Sequence, residues 1–258
     1  DFQGSRGLGD VYKRQESYQM RELEIVLGLT PEMRGSNFDP LNQFRKIAEK
    51  DPTQKHALDR LIRANEKPSL HEVVRAWVHR TPIMGSNPGD EGDMEVVSKY
   101  VNDHLDAFER HSKDQEAAMM LSGGMPPEAI KARFEGARIQ VRDFLLPNGQ
   151  FDRSRAGLLF IESYRELPLL TWPRALVDAV VELEEAMVKW RHAHARMVER
   201  IIGRRVGTGG SSGVDYLDAT AAYRVFTDLW GIRTVLVRPE LRPRIERPEF
   251  YSFSSVSD

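Results

Sequence analysis

From Thr171 to Gly203 the chain keeps one helical period without a break, then runs straight into a loop rich in glycine. A stretch so long and regular has one low-energy solution, an amphipathic α-helix, because positions three and four apart share a face. Thr171-Trp172-Pro173 opens it, with proline in the first turn where a missing N–H costs little. Leu183, Met187, Trp190, Met197 and Ile201 form an apolar stripe, and His194 fills its one gap. His192 lies about 200° round the helix from His194. Its neighbours at helical spacing include Lys189, Ala195, Arg196 and Glu199, a wet face. The stripe therefore predicts that His194 points where core residues point. An imidazole among Leu, Met and Trp costs free energy unless its nitrogens are satisfied. Two readings stay open: a core histidine bonded to a carbonyl, or a metal or haem ligand, a role that neutral imidazole suits. A slip of register would make His192 the ligand instead.

Beyond the helix, Gly207, Gly209, Gly210 and Gly213 bracket Thr208, Ser211 and Ser212. Such a run frees φ for positive values and brings the backbone close to a ligand. Its N–H groups and hydroxyls suit a carboxylate or a phosphate. It is not a P-loop, since no Lys-Ser/Thr follows the last glycine. A Gly/Ser run also serves as a flexible linker. Here it is short and joins two well-patterned helices, which favours a binding loop.

Taken together, W-R-x-x-H-x-x-M-V-x-R-I-I-G-x-x-x-G-T-G-G-S-S-G-x-x-Y-L, from Trp190 to Leu217, resembles the tryptophan 2,3-dioxygenase family. A second segment, SYQMRELEIVLG, is similar to the family's S-x-Q-Y-R-x-x-E-F-x-L-G, part of its haem pocket wall. Ser17, Gln19, Arg21 and Glu24 match, while Met20 stands for the usual tyrosine and Ile25 for the usual phenylalanine. The resemblance implies that His194 is the proximal, iron-ligating residue of a b-type haem, with Trp190 and Ser17 in the cofactor pocket. It implies that Thr208, Gly209 and Gly210 meet the amino-acid end of L-tryptophan. It further implies insertion of O2 across the indole C2=C3 bond to give N-formylkynurenine, the first step of kynurenine-pathway tryptophan breakdown, in a homotetramer; the lack of cysteine fits a cytoplasmic protein. In the family the distal histidine and a Tyr/Arg pair for the substrate carboxylate lie upstream of Ser17. Nothing upstream matches here, so no catalytic residue is identified, and the chain reads as the C-terminal portion of such an enzyme. The alternatives are a related haem protein that hydroxylates an aromatic amino acid or an indole, and a helical fragment without catalysis.

The rest of the chain fits a helical reading. It has 258 residues, 40% hydrophobic and 29% charged, enough for one sizeable core. A net charge of −2 supplies no basic field for nucleic acid. With no cysteine, metal ligation must use histidine or carboxylates. No apolar run approaches the roughly 20 residues of a membrane span. Residues 1–15 show no helical or strand period; their latter part resembles a translated library adapter, with a natural flexible tail as the alternative, and they are set aside. Residues 16–238 read as one helical domain, with 94–150 a divergent helical insertion, and 239–258 as a polar, mobile tail. Ser69 and Glu72 have capping-box spacing before Val73, Val74, Trp77 and Val78. His104 and His111 share a face of a long helix, either as two thirds of a metal site or as partly exposed positions. Arg204 and Arg205 oppose the helix dipole or reach haem propionates. Trp230 to Arg238 is ambiguous between strand and extended chain. Every strong period is helical, so the expected architecture is an all-α bundle with haem slotted between helices.

Overall fold

A computed structural model describes residues 18–30, 33, 41–203 and 213–253. Among them the fold is all α. The sole β feature there is an isolated antiparallel bridge between Ile83 and Ser86. The helices are α1 (18–27), α2 (Asn42–Lys50), α3 (Lys55–Asn65), α4 (Leu70–His79), α5 (Asp93–Ser122), α6 (Pro127–Leu145), α7 (Arg153–Ser163), α8 (Thr171–Ile202), α9 (Gly213–Thr220) and α10 (Thr227–Gly231). The apolar pattern drew no boundary within 16–238. The structure groups the chain into two compact units, residues 1–74 with 182–226, and residues 75–181 with 227–258. Two of the three boundaries fall inside α4 and α8, and the third immediately precedes α10.

In the first unit a small core forms where α1 meets the following helices. Tyr18, Leu41, Phe44 and Leu61 are buried together, and the Tyr18 and Phe44 rings lie 4.4 Å apart between centroids. Helix α1 stops at Gly28, whose φ of +98° suits only glycine. Its N–H and that of Leu29 both donate to the Glu24 carbonyl, at 3.0 and 2.9 Å. The capping box forms as its spacing predicts. Ser69 N–H donates to Glu72 Oε2 at 2.8 Å, and Glu72 N–H to Ser69 Oγ at 3.3 Å.

The second unit is built round α7, which is buried on almost every side, from Ser154 through Ala156, Leu158, Leu159, Phe160 and Ile161. Gly157 lets α7 approach α4, since a Cβ there would lie 2.5 Å from the Val78 carbonyl oxygen. Asp152 caps α7, accepting from the Ser154 and Arg155 N–H groups at 2.9 and 3.3 Å. Arg153 is the hub. Its guanidinium grips both oxygens of Asp93, at 2.8 and 3.0 Å, and donates to the carbonyls of His79, Thr81 and Ser86. One side chain thus ties the start of α5, the end of α4 and the loop between them to α7.

Three expectations change here. His104 is not a partly exposed position. It is fully buried, and its Nε2 lies 2.8 Å from the Val235 carbonyl oxygen. Burial, opposed by that carbonyl, pushes its pKa below the ordinary histidine value. Trp230 to Arg238 is no strand: it completes α10, makes a 3-10 turn over Ile232–Thr234, and buries Leu229, Ile232 and Val235. Nor is the segment after Pro239 loose. Tyr251 is buried, donating to the Pro82 carbonyl at 3.1 Å and accepting from Gly85 N–H at 2.8 Å. Tyr164 donates to the Pro243 carbonyl at 2.5 Å, and Arg242 lies over the Tyr164 ring while pairing with Glu166. Residues 254–258 lie outside the described residues.

Asp93→Asn should destabilise the second unit by about 3–5 kcal/mol, because it strands the Arg153 charge. Urea titration measures this. The hydrogen bond from Arg153 holds the Asp93 carboxyl below its usual range. That contribution is complete above the unfolded-state pKa and is lost as pH falls through the lowered folded-state value. The variant should therefore show a flatter acid limb in a plot of stability against pH.

Candidate functional site

Within the first unit, α8 carries the residues singled out from sequence, and its inward face is not the one the apolar stripe predicts. Leu183, Trp190, Met197 and Ile201 are 43%, 42%, 44% and 71% exposed, and Met187 alone of the stripe is buried. The inward face runs through Glu184, Met187, Arg191 and Ala195, again at helical spacing. Two charged residues hold that face because their bonds to the surrounding backbone can be made only from there. His194 is half-buried at the border between the two faces. His192 is exposed, as its wet neighbours predict. The Trp190 indole stacks on the His194 imidazole, with centroids 4.9 Å apart and planes 10° from parallel. Ser17, Thr208, Gly209 and Gly210, the other predicted site residues, lie outside the described residues, as do Arg204 and Arg205.

Among the buried charges here, Glu24 and Arg191 stand in the two motif segments, whereas the sequence reading does not single out Glu184. Glu24 on α1 is buried. Its Oε2 accepts from Arg21 Nη1 at 2.7 Å and its Oε1 from Arg191 Nη2 at 3.1 Å. Arg191 Nη1 donates to the carbonyls of Thr220 and Tyr223, at 3.1 and 3.3 Å. Two turns earlier on α8, the buried Glu184 takes the opposite polarity. Its Oε1 accepts from the N–H groups of Val225 and Phe226, at 2.5 and 3.2 Å. At the surface, Arg196 pairs with Asp218 of α9. The chain returning from the glycine loop is thus held along α8 at several points.

Could these residues hold a cofactor? No group of three or more His, Cys, Asp or Glu side chains suited to a metal ion occurs among the described residues. A bare multi-ligand metal centre therefore has no support there. A single imidazole, oriented by a stacked indole and flanked by uncovered Leu, Trp, Met and Ile side chains, fits a flat apolar macrocycle with one protein ligand. The second unit offers an open pocket of about 410 Å³ that His79, Asp93, Glu95 and Arg153 help to line. Its central charges, Asp93 and Arg153, are already bonded to each other.

Comparison with known proteins settles the family. The family model described as Tryptophan 2,3-dioxygenase matches residues 13–236. The chain belongs to the tryptophan 2,3-dioxygenase family. It is 40% identical over 252 residues to a tryptophan 2,3-dioxygenase-like protein of Xanthomonas campestris pv. campestris, covering 92% of this chain and 91% of that one. It is 39% identical to tryptophan 2,3-dioxygenase 2 of Ralstonia nicotianae, over 93% of this chain and 67% of that protein. Against tryptophan 2,3-dioxygenase of Sorangium cellulosum the figures are 40%, 92% and 60%. The chain thus spans nearly the whole of one relative and about two thirds or less of the others. The family is one of oxidoreductases, and the helices of 94–150 fall inside the matched range. So do Arg21, Glu24 and Arg191, which bring the two motif segments together at one buried ion pair.

Gly28→Ala tests the placement of α1. A Cβ at Gly28 would lie 2.7 Å from Ser69 Oγ and 3.0 Å from His71 Cβ, on a backbone already at positive φ. The variant should lose at least about 1 kcal/mol of stability, seen as a lower urea midpoint with unchanged slope.

Proposed function

We propose that this chain binds haem b through His194 and belongs to an enzyme that dioxygenates L-tryptophan, taking O2 to the indole C2=C3 bond and giving N-formylkynurenine. One observation carries the reading: a half-buried imidazole, stacked on Trp190, stands at the edge of a stripe in which Leu183, Trp190, Met197 and Ile201 are exposed. Leaving Leu183, Trp190, Met197 and Ile201 in water forgoes burial worth roughly 25 cal/mol per Å². A macrocycle laid against them would recover part of it. Family membership and relatives named tryptophan 2,3-dioxygenases support the same substrate.

Bound haem supplies the activation of dioxygen. What the chain's own residues do is bind, orient and shield. His194 provides the iron ligand, and its stack on Trp190 fixes the ring plane. Trp190 and Met197 would help to keep water from the bound cofactor, and Ser17 is assigned to the cofactor pocket. Thr208, Gly209 and Gly210 are assigned to the ammonium and carboxylate end of the substrate. Opening the indole ring needs that end held still, since a misplaced ring loses the alignment on which the rate depends. The assembly in this reading is a cytoplasmic homotetramer. No helix among the described residues is long and apolar enough to cross a membrane.

Reconstitution with haem tests it. The ferrous and ferrous–CO spectra should be those of a histidine-ligated haem. They should be lost in His194→Ala and kept in His192→Ala. A spectrum that survives in His194→Ala would remove that residue from the site, and haem binding in neither wild type nor variants would sink the reading as a whole.

A further inference from the structure

The glycine loop and the ligand helix are joined by more than their covalent link. We propose that Glu184 and Arg191 form a two-point grip by which α8 holds the chain leaving the loop, and that Arg191 is a positioning residue for the amino-acid substrate. The inference rests on the assignment of His194 and the 208–210 loop above.

The chemistry of the grip is specific. A guanidinium offers only donors and a carboxylate only acceptors. Arg191 sits where two carbonyls, Thr220 and Tyr223, point at α8. Glu184 sits where two N–H groups, Val225 and Phe226, do so. Both side chains are buried, so neither set of bonds is made to water instead. Thr220 ends α9, whose first residue, Gly213, is the last glycine of the loop. Arg191 also comes one turn before His194 and is locked from the other side by Glu24. Rotating α8 to move His194 would break the fork, and sliding α9 to move the loop would break it too. His194 and the segment from Gly213 to Phe226 are therefore held in one register. Lysine could keep the charge of Arg191 but not reach Glu24 and both carbonyls at once.

Arg191→Lys is the principal variant and Glu184→Gln the second. Lys189→Gln, which removes an exposed pair with Glu185 on α8 itself, serves as the control. In haem-free protein, amide exchange over 213–226 should rise about tenfold or more in Arg191→Lys and several-fold in Glu184→Gln, with exchange in α7 unchanged. In haem-loaded protein, Arg191→Lys should keep its Soret band while KM for L-tryptophan rises about tenfold and kcat falls less. The control should change neither. Unchanged exchange over 213–226, an equal rise in α7, or an unchanged KM with haem bound would overturn the proposal. A wild type without a Soret band would sink the haem assignment by itself, and the exchange data would still decide the grip.

Discussion

Glu24 and Arg191 meet in the interior across most of the length of the chain, and the first unit is arranged to make that meeting possible. A carboxylate and a guanidinium taken out of water are tolerated only when their remaining donors and acceptors find partners. Glu24 does so with Arg21, a neighbour on its own helix, and Arg191 with two backbone carbonyls. These demands fix the depth of α1, the rotation of α8 and the end of α9 together. A buried charge leaves few arrangements open, whereas a stripe of leucines would accept many.

The second unit uses the same device with different partners. Arg153 binds Asp93 through two nitrogens and spends its other contacts on carbonyls at His79, Thr81 and Ser86. The loop between α4 and α5 has little apolar material to bury, so it is held by its main chain. Arg155 does likewise, joining Asp228 and the Phe144 carbonyl while its guanidinium lies over the Phe144 ring. Arginine suits these places because its planar fork reaches several acceptors without losing its charge.

Much of the fold was legible in the sequence. The helical period of α8, the capping box of Ser69 and Glu72, and the glycine stop after α1 all state their structure locally. The inward face of α8 was not legible. Apolar periodicity picked Leu183, Trp190, Met197 and Ile201, but the face that turns inward includes Glu184 and Arg191, which a hydrophobic pattern counts as solvent-facing. Charged residues go inside only where long-range partners wait, and Val225 or Thr220 cannot be seen from residue 184 or 191. His104 was misjudged for the same reason, since its partner is the Val235 carbonyl. For the candidate site, periodicity separated His194 from His192, and resemblance supplied their roles. The loop residues 208–210 rest on sequence alone.

The hydrogen bonds described from Glu184 and Arg191 to the segment between Thr220 and Phe226 go to main-chain atoms. Through those bonds the two side chains read the path of the segment. The exposed Ala222 is therefore free to drift wherever a substitution keeps the same backbone course. Positions 184 and 191 have less latitude, because their partners are peptide groups that every residue but proline presents alike, and a change there leaves buried donors or acceptors unmatched. Tolerance to substitution is therefore expected to be greater at the exposed position 222 than at the two buried charges of α8.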